Sequence, residues 1–400
     1  MRPFEMLRQP FAQMVAAICA GALTGLIWPG LALRLEWLGT AFVVVIRLLV
    51  GPILFVAVVG ALARIGPLRR TGSVGVKALL YFELASTLAL LTGMAAAWWL
   101  RPGEGLHLAA GAAPAAPGWQ ATLGAALLHN PLLQVLAAAV LTGAVLSVLG
   151  RRADATVALC ERCAAGLYAV LRLLLLAAPL AAFGAIAFAV ASFGAAAMLP
   201  LLKLIGVLYL ASLIFVAAVL GAVCAASGVR LGRLVAGIKE ELLLVVATAS
   251  STAAMPRLID KLTAAGCPRA IAGLLVPFSF SFNLNGSAVY LGAGLMFLAQ
   301  ACGIDLSAAQ LLPVLAVAML TSKAASGVAG SAFVTLTATL VALPGIPASA
   351  LVYIVGIERL LKCRPVGNLI GNAVACLAIC AWSGRLDRRA LAAAGLAVAD

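Results

Sequence analysis

The chain has 400 residues, of which 64% are hydrophobic and 10% charged, and its mean hydropathy is +1.15. A soluble core cannot absorb so much apolar surface, so the composition excludes a water-soluble globular fold and indicates a polytopic helical membrane protein. The formal net charge of +14 would suggest nucleic-acid binding in a soluble protein, but here the basic residues lie between apolar runs. There they are topology signals, and we expect no nucleic-acid partner.

Eight apolar segments are each compatible with a helix that spans a bilayer. They cover residues 11–29, 37–63, 76–100, 132–150, 164–195, 199–227, 270–300 and 351–380. Basic clusters follow every second crossing, for example at Arg64, Arg151 and Arg230. The positive-inside rule therefore predicts that these loops, the N-terminus and a tail of residues 383–400 are cytoplasmic. We expect no cleavable signal peptide, because the first apolar run continues directly into a second span.

Two further apolar stretches, 242–262 and 311–345, are predicted to be re-entrant helical hairpins. A full crossing by the first would place Lys261 and Arg269 outside the cell, against the positive-inside pattern. Both stretches are interrupted at mid-length by small and polar residues, TASST in the first and TSKAASG in the second. Half of the first stretch reaches only about 12–15 Å as a helix, roughly half the hydrocarbon thickness.

Each predicted hairpin precedes a span that contains polar and glycine residues, at 281–287 after the first and at 364–372 after the second. The order of hairpin and broken helix thus occurs twice. With one hairpin entering from each side, the repeat is inverted, which is the layout of secondary transporters with a site near the bilayer midplane. The alternative, that Gly and Ser serve close helix packing, fits any one segment but fits the paired pattern poorly.

The last span carries Arg364, Asn368 and Asn372 at every fourth position, so all three lie on one face of a helix. A guanidinium at membrane depth is costly unless it faces protein, water or an anion. The fork of donors on arginine suits a carboxylate, which predicts an anionic substrate. The alternative is an arginine that is satisfied by neighbouring carbonyl groups.

The third span is polar where the other early spans are not. It carries Glu83, Ser86 and Thr87, and the two hydroxyls are either cation ligands or ordinary interhelical hydrogen-bond donors. Spans one, two, four and five are rich in small apolar residues, as expected of a packing framework. We interpret their Arg47 and Arg172 as snorkelling or packing side chains.

Other reactive residues point to neither an enzyme nor a cofactor site. His107 and His129 lie near no cysteine or acidic cluster, and no GxSxG, HExxH or phosphate-binding loop occurs in a suitable context. The nine cysteines lie mostly inside apolar runs, which predicts buried thiols rather than disulfides. Cys160 and Cys163 form a CxxC pair without a second pair, which is weak evidence for a metal site.

Four runs of the chain resemble the dicarboxylate/amino acid:cation symporter family, and within it the bacterial C4-dicarboxylate transporters. They are ELLLVVATASSTAAMPRLIDKL, VPFSFSFNLNGSAVYLGAGLMFLAQ, TSKAASGVAGSAFVTLTATL and IERLLKCRPVGNLIGNAVA. The resemblance implies a homotrimer of elevator-type protomers in the membrane lipid. In each protomer, residues 1–63 and 118–195 would form a static scaffold, and residues 76–100 and 199–382, with both hairpins, a moving transport part.

The resemblance also implies which residues bind the transported species, with no cofactor or metal beyond the transported cations. Substrate contacts are expected at Ser250, Ser251, Gly327, Val328, Gly330, Arg364 and Asn368. Cation contacts are expected at Asn283, Asn285, Asn368 and Asn372, to which the polar third span adds Ser86 and Thr87.

Departures from the family pattern bear on ion coupling. Asn285 stands where the family has Asp, so one cation site should be weaker or lost. The stretch from Glu358 to Arg364 is one residue shorter than usual, which places Lys362 where a small or acidic residue is expected. Pro365 is expected to bend the last span.

The predicted function is the import of succinate, fumarate or malate with sodium ions, protons or both across the bacterial inner membrane. Glu83 and Glu358 are the candidate proton carriers. We expect no acidic residue beside Arg364 to pair with an ammonium, since Glu358 lies almost two helical turns before it, so amino acids are disfavoured. The alternatives are an anion-conducting channel and a symporter of this fold for another organic anion or an acidic amino acid.

Overall fold

The computed structural model describes residues 10–64, 72–106, 108, 131–323, 325, 330–340, 345–347 and 350–397. These residues are almost entirely helical and contain no β-strand, apart from one isolated antiparallel bridge between Val229 and Ala397. The all-helical prediction is therefore confirmed for the described part of the chain.

The first half of the fold consists mainly of long apolar helices. They are α1 (Pro10–Ile27), α2 (Pro29–Arg34), α3 (Glu36–Ala63), α4 (Ser73–Leu100), α5 (Pro131–Leu149), α6 (Asp154–Leu174) and α7 (Ala178–Phe193). Short 3₁₀ turns connect α5 to α6 and α6 to α7, so the chain is helical from Pro131 to Phe193.

The second half contains shorter helices, several of which meet at breaks. Helix α8 (Met198–Ile214) continues through a π-helical turn (Phe215–Leu220) into α9 (Gly221–Ala226). The remaining helices are α10 (Leu231–Gly237), α11 (Lys239–Thr248), α12 (Met255–Ala264), α13 (Arg269–Phe282), α14 (Asn285–Ala301), α15 (Ala308–Ser322), α16 (Ser331–Thr339), α17 (Leu351–Glu358), α18 (Cys363–Trp382) and α19 (Arg388–Ala393).

Within the described residues, six helical segments are long and apolar enough to cross a membrane: Pro29–Ala63, Ser73–Leu100, Pro131–Phe193, Ala195–Ala226, Arg269–Ala301 and Cys363–Trp382. The third of these has 63 residues, too many for one crossing of about 20 residues, and Phe11–Ile27 is a slightly shorter apolar helix. These helices are those of a multi-pass membrane protein. The count of eight spans and their orientation stay predictions.

Helices α11 and α12 form a helix–turn–helix within the predicted first hairpin. Ala249 adopts a left-handed conformation (φ +54°) and a 3₁₀ turn follows at Ser251–Ala254, so the chain reverses direction here. Lys261 Nζ lies 2.8 Å from Glu241 Oε2 and donates to the Gly237 carbonyl at 2.7 Å, which joins the end of α12 to the start of α11. Each arm has 10 residues, or about 15 Å, half of a hydrocarbon core. The depth of this hairpin in a bilayer stays a prediction.

Helices α15 and α16 lie within the predicted second hairpin, and most of its turn falls outside the described residues. Helix α15 begins with a capping box, in which the Ser307 N–H donates to Gln310 Oε1 at 2.9 Å. The hydroxyl oxygens of Thr321 and Thr339 lie 2.6 Å apart, so the last turns of the two helices meet. The chain therefore comes back to α15 after the turn.

Two groups of helices pack through small residues. Helices α1 and α3 pack against α7, and α5 and α6 against α3, while α4 packs against α14 and α14 against α18. At the α4–α14 contact, a Cβ added to Gly93 would overlap the Val289 carbonyl, and one added to Gly292 would overlap the Leu90 carbonyl. Glycine lets these backbones approach closely. The assignment of the two groups to a static and a moving part stays a prediction.

The last predicted span is broken earlier than expected. Helix α17 ends at Glu358 and α18 starts at Cys363, and α18 then continues without interruption to Trp382. The break predicted at 364–372 is therefore wrong, as is the bend at Pro365. This proline lies in the first turn of α18, where backbone N–H groups have no partner within the helix, so the proline removes no helical hydrogen bond.

Candidate functional site

The candidate site lies where α14 crosses α18. A Cβ added to Gly286 would overlap the Arg364 carbonyl, and one added to Gly371 would overlap the side chain of Asn285. Gly367 faces Gly286 at the same crossing. Because these positions carry no side chain, the two backbones approach closely and bring polar residues from distant parts of the chain together.

The first half of the site is the break between α13 and α14. Asn283 and Leu284 are not helical, which confirms the break predicted at 281–287. Asn283 Nδ2 donates to the Gly371 carbonyl at 3.2 Å and to Asn372 Oδ1 at 3.4 Å. These hydrogen bonds hold the break between α13 and α14 directly against the polar face of α18.

A second link joins Asn368 of α18 to Ser287 of α14. Asn368 Oδ1 accepts from the Ser287 N–H at 3.0 Å, and Asn368 Nδ2 donates to Ser287 Oγ at 3.1 Å. Both residues are buried. This paired contact fixes the orientation of the Asn368 side chain, which is predicted to contact both substrate and cation.

Several buried amide atoms at this crossing have no hydrogen-bond partner among the described residues. They are Asn283 Oδ1, both side-chain atoms of Asn285, and Asn372 Nδ2, and all three residues are fully buried. Leaving a buried polar atom unpaired costs free energy, so such atoms point to a ligand. The two carbonyl oxygens suit a hard cation, which binds oxygen ligands. The structure thus brings together the asparagines that were predicted to bind cations.

Arg364 and Glu358 form a buried ion pair. Arg364 Nη2 lies 3.5 Å from Glu358 Oε1, and the two side chains are 6% and 7% exposed. The prediction that no acidic residue lies beside Arg364 is therefore wrong. It assumed a continuous helix, whereas the break at 359–362 between α17 and α18 turns the chain and brings the two side chains together. The expected distance of almost two turns does not apply.

The ion pair is incompletely satisfied by the protein. Within the described residues, Arg364 Nε and both Glu358 oxygens have no hydrogen-bond partner. The hydroxyl of Tyr290, a buried residue of α14, lies beside the same carboxylate. Arg364 is thus held by one carboxylate at a long distance and keeps donors that suit a second carboxylate.

A second ion pair, between Lys323 and Glu83, was not anticipated from the sequence. Lys323 Nζ lies 2.9 Å from Glu83 Oε1 and donates to the Phe282 carbonyl at 3.3 Å. The lysine side chain is 8% exposed and the glutamate side chain 46%. The pair joins the start of the second hairpin turn to α4 and to the end of α13. The available signals were two charged residues inside apolar segments, one in LLYFELAST and one in TSKAASG.

The two hydroxyls of the third span form ordinary hydrogen bonds in this structure. Ser86 Oγ donates to the same Phe282 carbonyl at 3.1 Å, and Thr87 Oγ1 donates to the Glu83 carbonyl at 2.8 Å within its own helix. Ser86 also lines a small cavity between α4, α14 and the second hairpin, together with Ser287, Ser322 and Thr335. A role of Ser86 and Thr87 in cation binding stays a prediction.

The serines of the first hairpin turn lie next to α18. Ser251 is fully buried, and its hydroxyl has no hydrogen-bond partner among the described residues. The 3₁₀ turn that Ser251 begins packs against α18. Ser250 Oγ lies 2.9 Å from Thr252 Oγ1. The first hairpin turn and the arginine helix therefore belong to one packed unit.

Of the substrate contacts predicted at the second hairpin turn, the structure describes Gly330. Gly327 and Val328 lie outside the described residues. Gly330 has φ +83°, which favours glycine, and it packs against Leu175 between α6 and α7. Lys362, the other unusual residue of the last span, is half-buried in the break before α18.

Comparison with known proteins gives the family directly. The sodium:dicarboxylate symporter family matches residues 11–382. A C4-dicarboxylate transport protein of Cupriavidus necator is 41% identical over 415 residues, which covers 96% of this chain and 95% of the relative. A C4-dicarboxylate transport protein of Burkholderia thailandensis is 42% identical over 404 residues and covers 96% and 94%. These are transporters, so the prediction that the chain is not an enzyme is confirmed.

The matched residues include the first helix–turn–helix, helices α15 and α16, and the Arg–Asn face of α18, all of which lie in or next to the runs that carried the resemblance. The identity to the relatives extends over almost the whole length of each protein. The chain therefore belongs to the sodium:dicarboxylate symporter family.

Proposed function

We propose that this protein is a secondary active symporter, which imports C4-dicarboxylates such as succinate, fumarate and malate with sodium ions, protons or both across the bacterial inner membrane. The observation that carries the proposal is the buried guanidinium of Arg364. It belongs to α18, the helix that crosses α14 and packs against the first hairpin turn. The names of the relatives, C4-dicarboxylate transport proteins, support the substrate class.

In this proposal, the two carboxylates of the substrate bind at opposite ends of the site. One binds the guanidinium of Arg364 near Asn368. The other binds the hairpin turns, where serine hydroxyls and the partial positive charge of helix N-termini favour an anion. The second carboxylate would contact Ser250 and Ser251 in the first turn, and Gly327, Val328 and Gly330 in the second.

Glu358 gives the proposed site an internal competitor for the substrate. The glutamate lies 3.5 Å from the guanidinium that this proposal assigns to a substrate carboxylate. We propose that the substrate carboxylate competes with Glu358 for Arg364, and that Glu83 and Glu358 are the candidate carriers of protons that enter with the substrate.

The charge of the substrate requires several cations. Import of a dianion against an inside-negative potential costs about 2.3 kcal/mol per charge per 100 mV, or roughly 4.6 kcal/mol for two charges. At least three positive charges must enter with it for the potential to help. We propose that sodium ions bind at Asn283, Asn285, Asn368 and Asn372, with Ser86 and Thr87 as further ligands, and that Asn285 weakens one of these sites.

The packing supports an elevator mechanism. Helices α1, α3, α5, α6 and α7 form one group, and α4, α14 and α18 form another that holds Arg364 and the asparagines. We propose that the first group is the static scaffold of a homotrimer, that the second group moves with the substrate, and that both termini are cytoplasmic.

Uptake into liposomes tests the proposal. Purified protein should take up succinate in a saturable manner when a sodium or proton gradient is imposed, and fumarate and malate should compete. Unsaturable flux of all small anions without a gradient would contradict symport and would support an anion channel.

One observation favours a second candidate, a symporter of the same fold for acidic amino acids. Glu358 lies close enough to Arg364 to pair with the ammonium of an amino acid substrate bound there. Aspartate decides between the two in the same assay. Inhibition of succinate uptake by fumarate but not by aspartate supports the dicarboxylate, whereas stronger inhibition by aspartate supports the amino acid.

A further inference from the structure

Three buried cysteines meet near the C-terminal end of α18, away from the proposed transport site. They are Cys267, in the loop between α12 and α13, and Cys376 and Cys380, one turn apart on α18. None is more than 2% exposed. Their sulfur atoms all lie within 4.8 Å of one another, and Cys267 Sγ and Cys376 Sγ are 3.9 Å apart.

The spacing of the three sulfurs matches a three-coordinate metal ion. Sulfur ligands lie about 2.3 Å from a metal such as zinc, and three sulfurs at that distance in one plane are separated by about 4.0 Å. The distance of 3.9 Å between Cys267 Sγ and Cys376 Sγ matches this separation, and the other two pairs of sulfurs lie within 4.8 Å. A disulfide would require two sulfurs to be about 2.05 Å apart. The three thiols therefore converge on one point without being bonded to one another.

The donor set favours copper(I). Thiolates are soft ligands, which select copper(I) or zinc among the common metals. Structural zinc takes four ligands, and within the described residues no carboxylate or other cysteine joins this group. Copper(I) is stable with three thiolates. We propose that Cys267, Cys376 and Cys380 form a copper(I) site, in which each coordinating thiol loses its proton on binding.

The surroundings enclose this cluster. The Asp387 N–H donates to the Gly266 carbonyl at 2.9 Å, so the C-terminal tail lies against the loop that carries Cys267. Lys77 Nζ donates to the Trp382 carbonyl at 2.9 Å, which places a positive charge near the same end of α18. A copper ion would join the loop after α12, at the base of the first hairpin, to the C-terminal end of α18.

The copper site is separate from the proposed transport site. Cys376 follows Arg364 by twelve residues in one helix, which corresponds to about 18 Å. The inference does not depend on the transported substrate. Its test therefore uses metal content and coordination, and does not use uptake.

Copper content is measured on protein that is purified without oxygen from copper-supplemented cells. Copper(I) affinity is measured by titrating metal-free protein with copper(I) against the chelator bicinchoninate. We expect about one copper ion per chain in the wild type and in Cys163→Ser, which removes an exposed thiol. The double variant Cys376→Ala/Cys380→Ala should lose affinity by more than the roughly 10–100-fold that loss of an outer-shell partner causes. Copper X-ray absorption should show three sulfur neighbours.

Folding is checked separately, because buried cysteines also pack. The single variant Cys267→Ser changes one atom of the cluster, and gel filtration and circular dichroism show whether each variant is folded. Copper should raise the melting temperature of the wild type and of Cys163→Ser, and not of the folded variants that lack cluster cysteines. Equal copper content in the wild type and a folded double variant would overturn the proposal. Fewer than three sulfur neighbours, or zinc retained in preference to copper, would overturn it as well.

Discussion

Replacing Glu358 with glutamine tests whether this carboxylate competes with the substrate for Arg364. Arg364 Nη2 and Glu358 Oε1 lie 3.5 Å apart, and the two side chains are 6% and 7% exposed. Coulomb's law gives a gross attraction of about 5 kcal/mol for two charges at this distance and an effective dielectric constant of about 20, before desolvation is counted. In the wild type, a substrate carboxylate competes with this interaction for the guanidinium.

The glutamine variant keeps the size of the side chain and removes its charge. Without substrate, the variant leaves the Arg364 charge unpaired. Breaking a buried pair on one side costs about 3–5 kcal/mol, so we expect the melting temperature of the empty protein to fall. Succinate then supplies the missing carboxylate. We expect its affinity to rise at least tenfold, which corresponds to about 1.4 kcal/mol, and succinate to raise the melting temperature more than it does in the wild type.

Competition for the guanidinium is measured as the succinate affinity of Glu358→Gln relative to that of the wild type. The control Glu104→Gln, which removes the exposed partner of Arg101, should behave as the wild type. Succinate binding that is weaker in Glu358→Gln than in the wild type and the control would refute the reasoning.

Three further substitutions test other parts of the site. Asn285→Asp should strengthen the dependence of succinate uptake on sodium, and coincident sodium titrations of variant and parent would show that residue 285 is not a cation ligand. Gly286→Ala should lower the free energy of unfolding by about 1–3 kcal/mol, because its Cβ meets a backbone carbonyl, whereas Gly206→Ala, with open space around it, should melt close to the wild type. Lys323→Met should lower the rate of uptake by leaving Glu83 unpaired, and the double variant with Glu83→Gln should restore part of it; equal rates in parent and single variant would exclude a role for the pair.

The main helices and the polar face of α18 were predictable from the sequence because their signals are local. The lengths of the apolar runs predicted the long helices. The four-residue spacing of Arg364, Asn368 and Asn372 predicted a shared face and required only a regular helix. The break at Asn283 and Leu284 was predictable as well, because polar residues and a glycine interrupt an apolar run there. Each of these features depends on residues within a few turns of one another.

The ion pairs were not predictable because they depend on chain reversals and long-range contacts. Arg364 and Glu358 would lie far apart on a continuous helix, and only the four-residue break between α17 and α18 joins them. Pro365 suggested a later break, but it lies in the first turn of α18, where it removes no helical hydrogen bond. Lys323 and Glu83 lie on different helices, so the sequence indicated two isolated charges inside apolar segments and not their pairing.

The most direct test of the account is succinate binding and gradient-driven uptake by Arg364→Ala, with Arg172→Ala as the matched control. Arg172 is an exposed arginine of α6, a different helix from the one that carries Arg364 and the asparagines, and it lines a cavity with Thr252 and Lys323. The account predicts that Arg364→Ala loses both binding and uptake, while Arg172→Ala keeps nearly all of each. Equal losses in the two variants, or wild-type binding by Arg364→Ala, would contradict it.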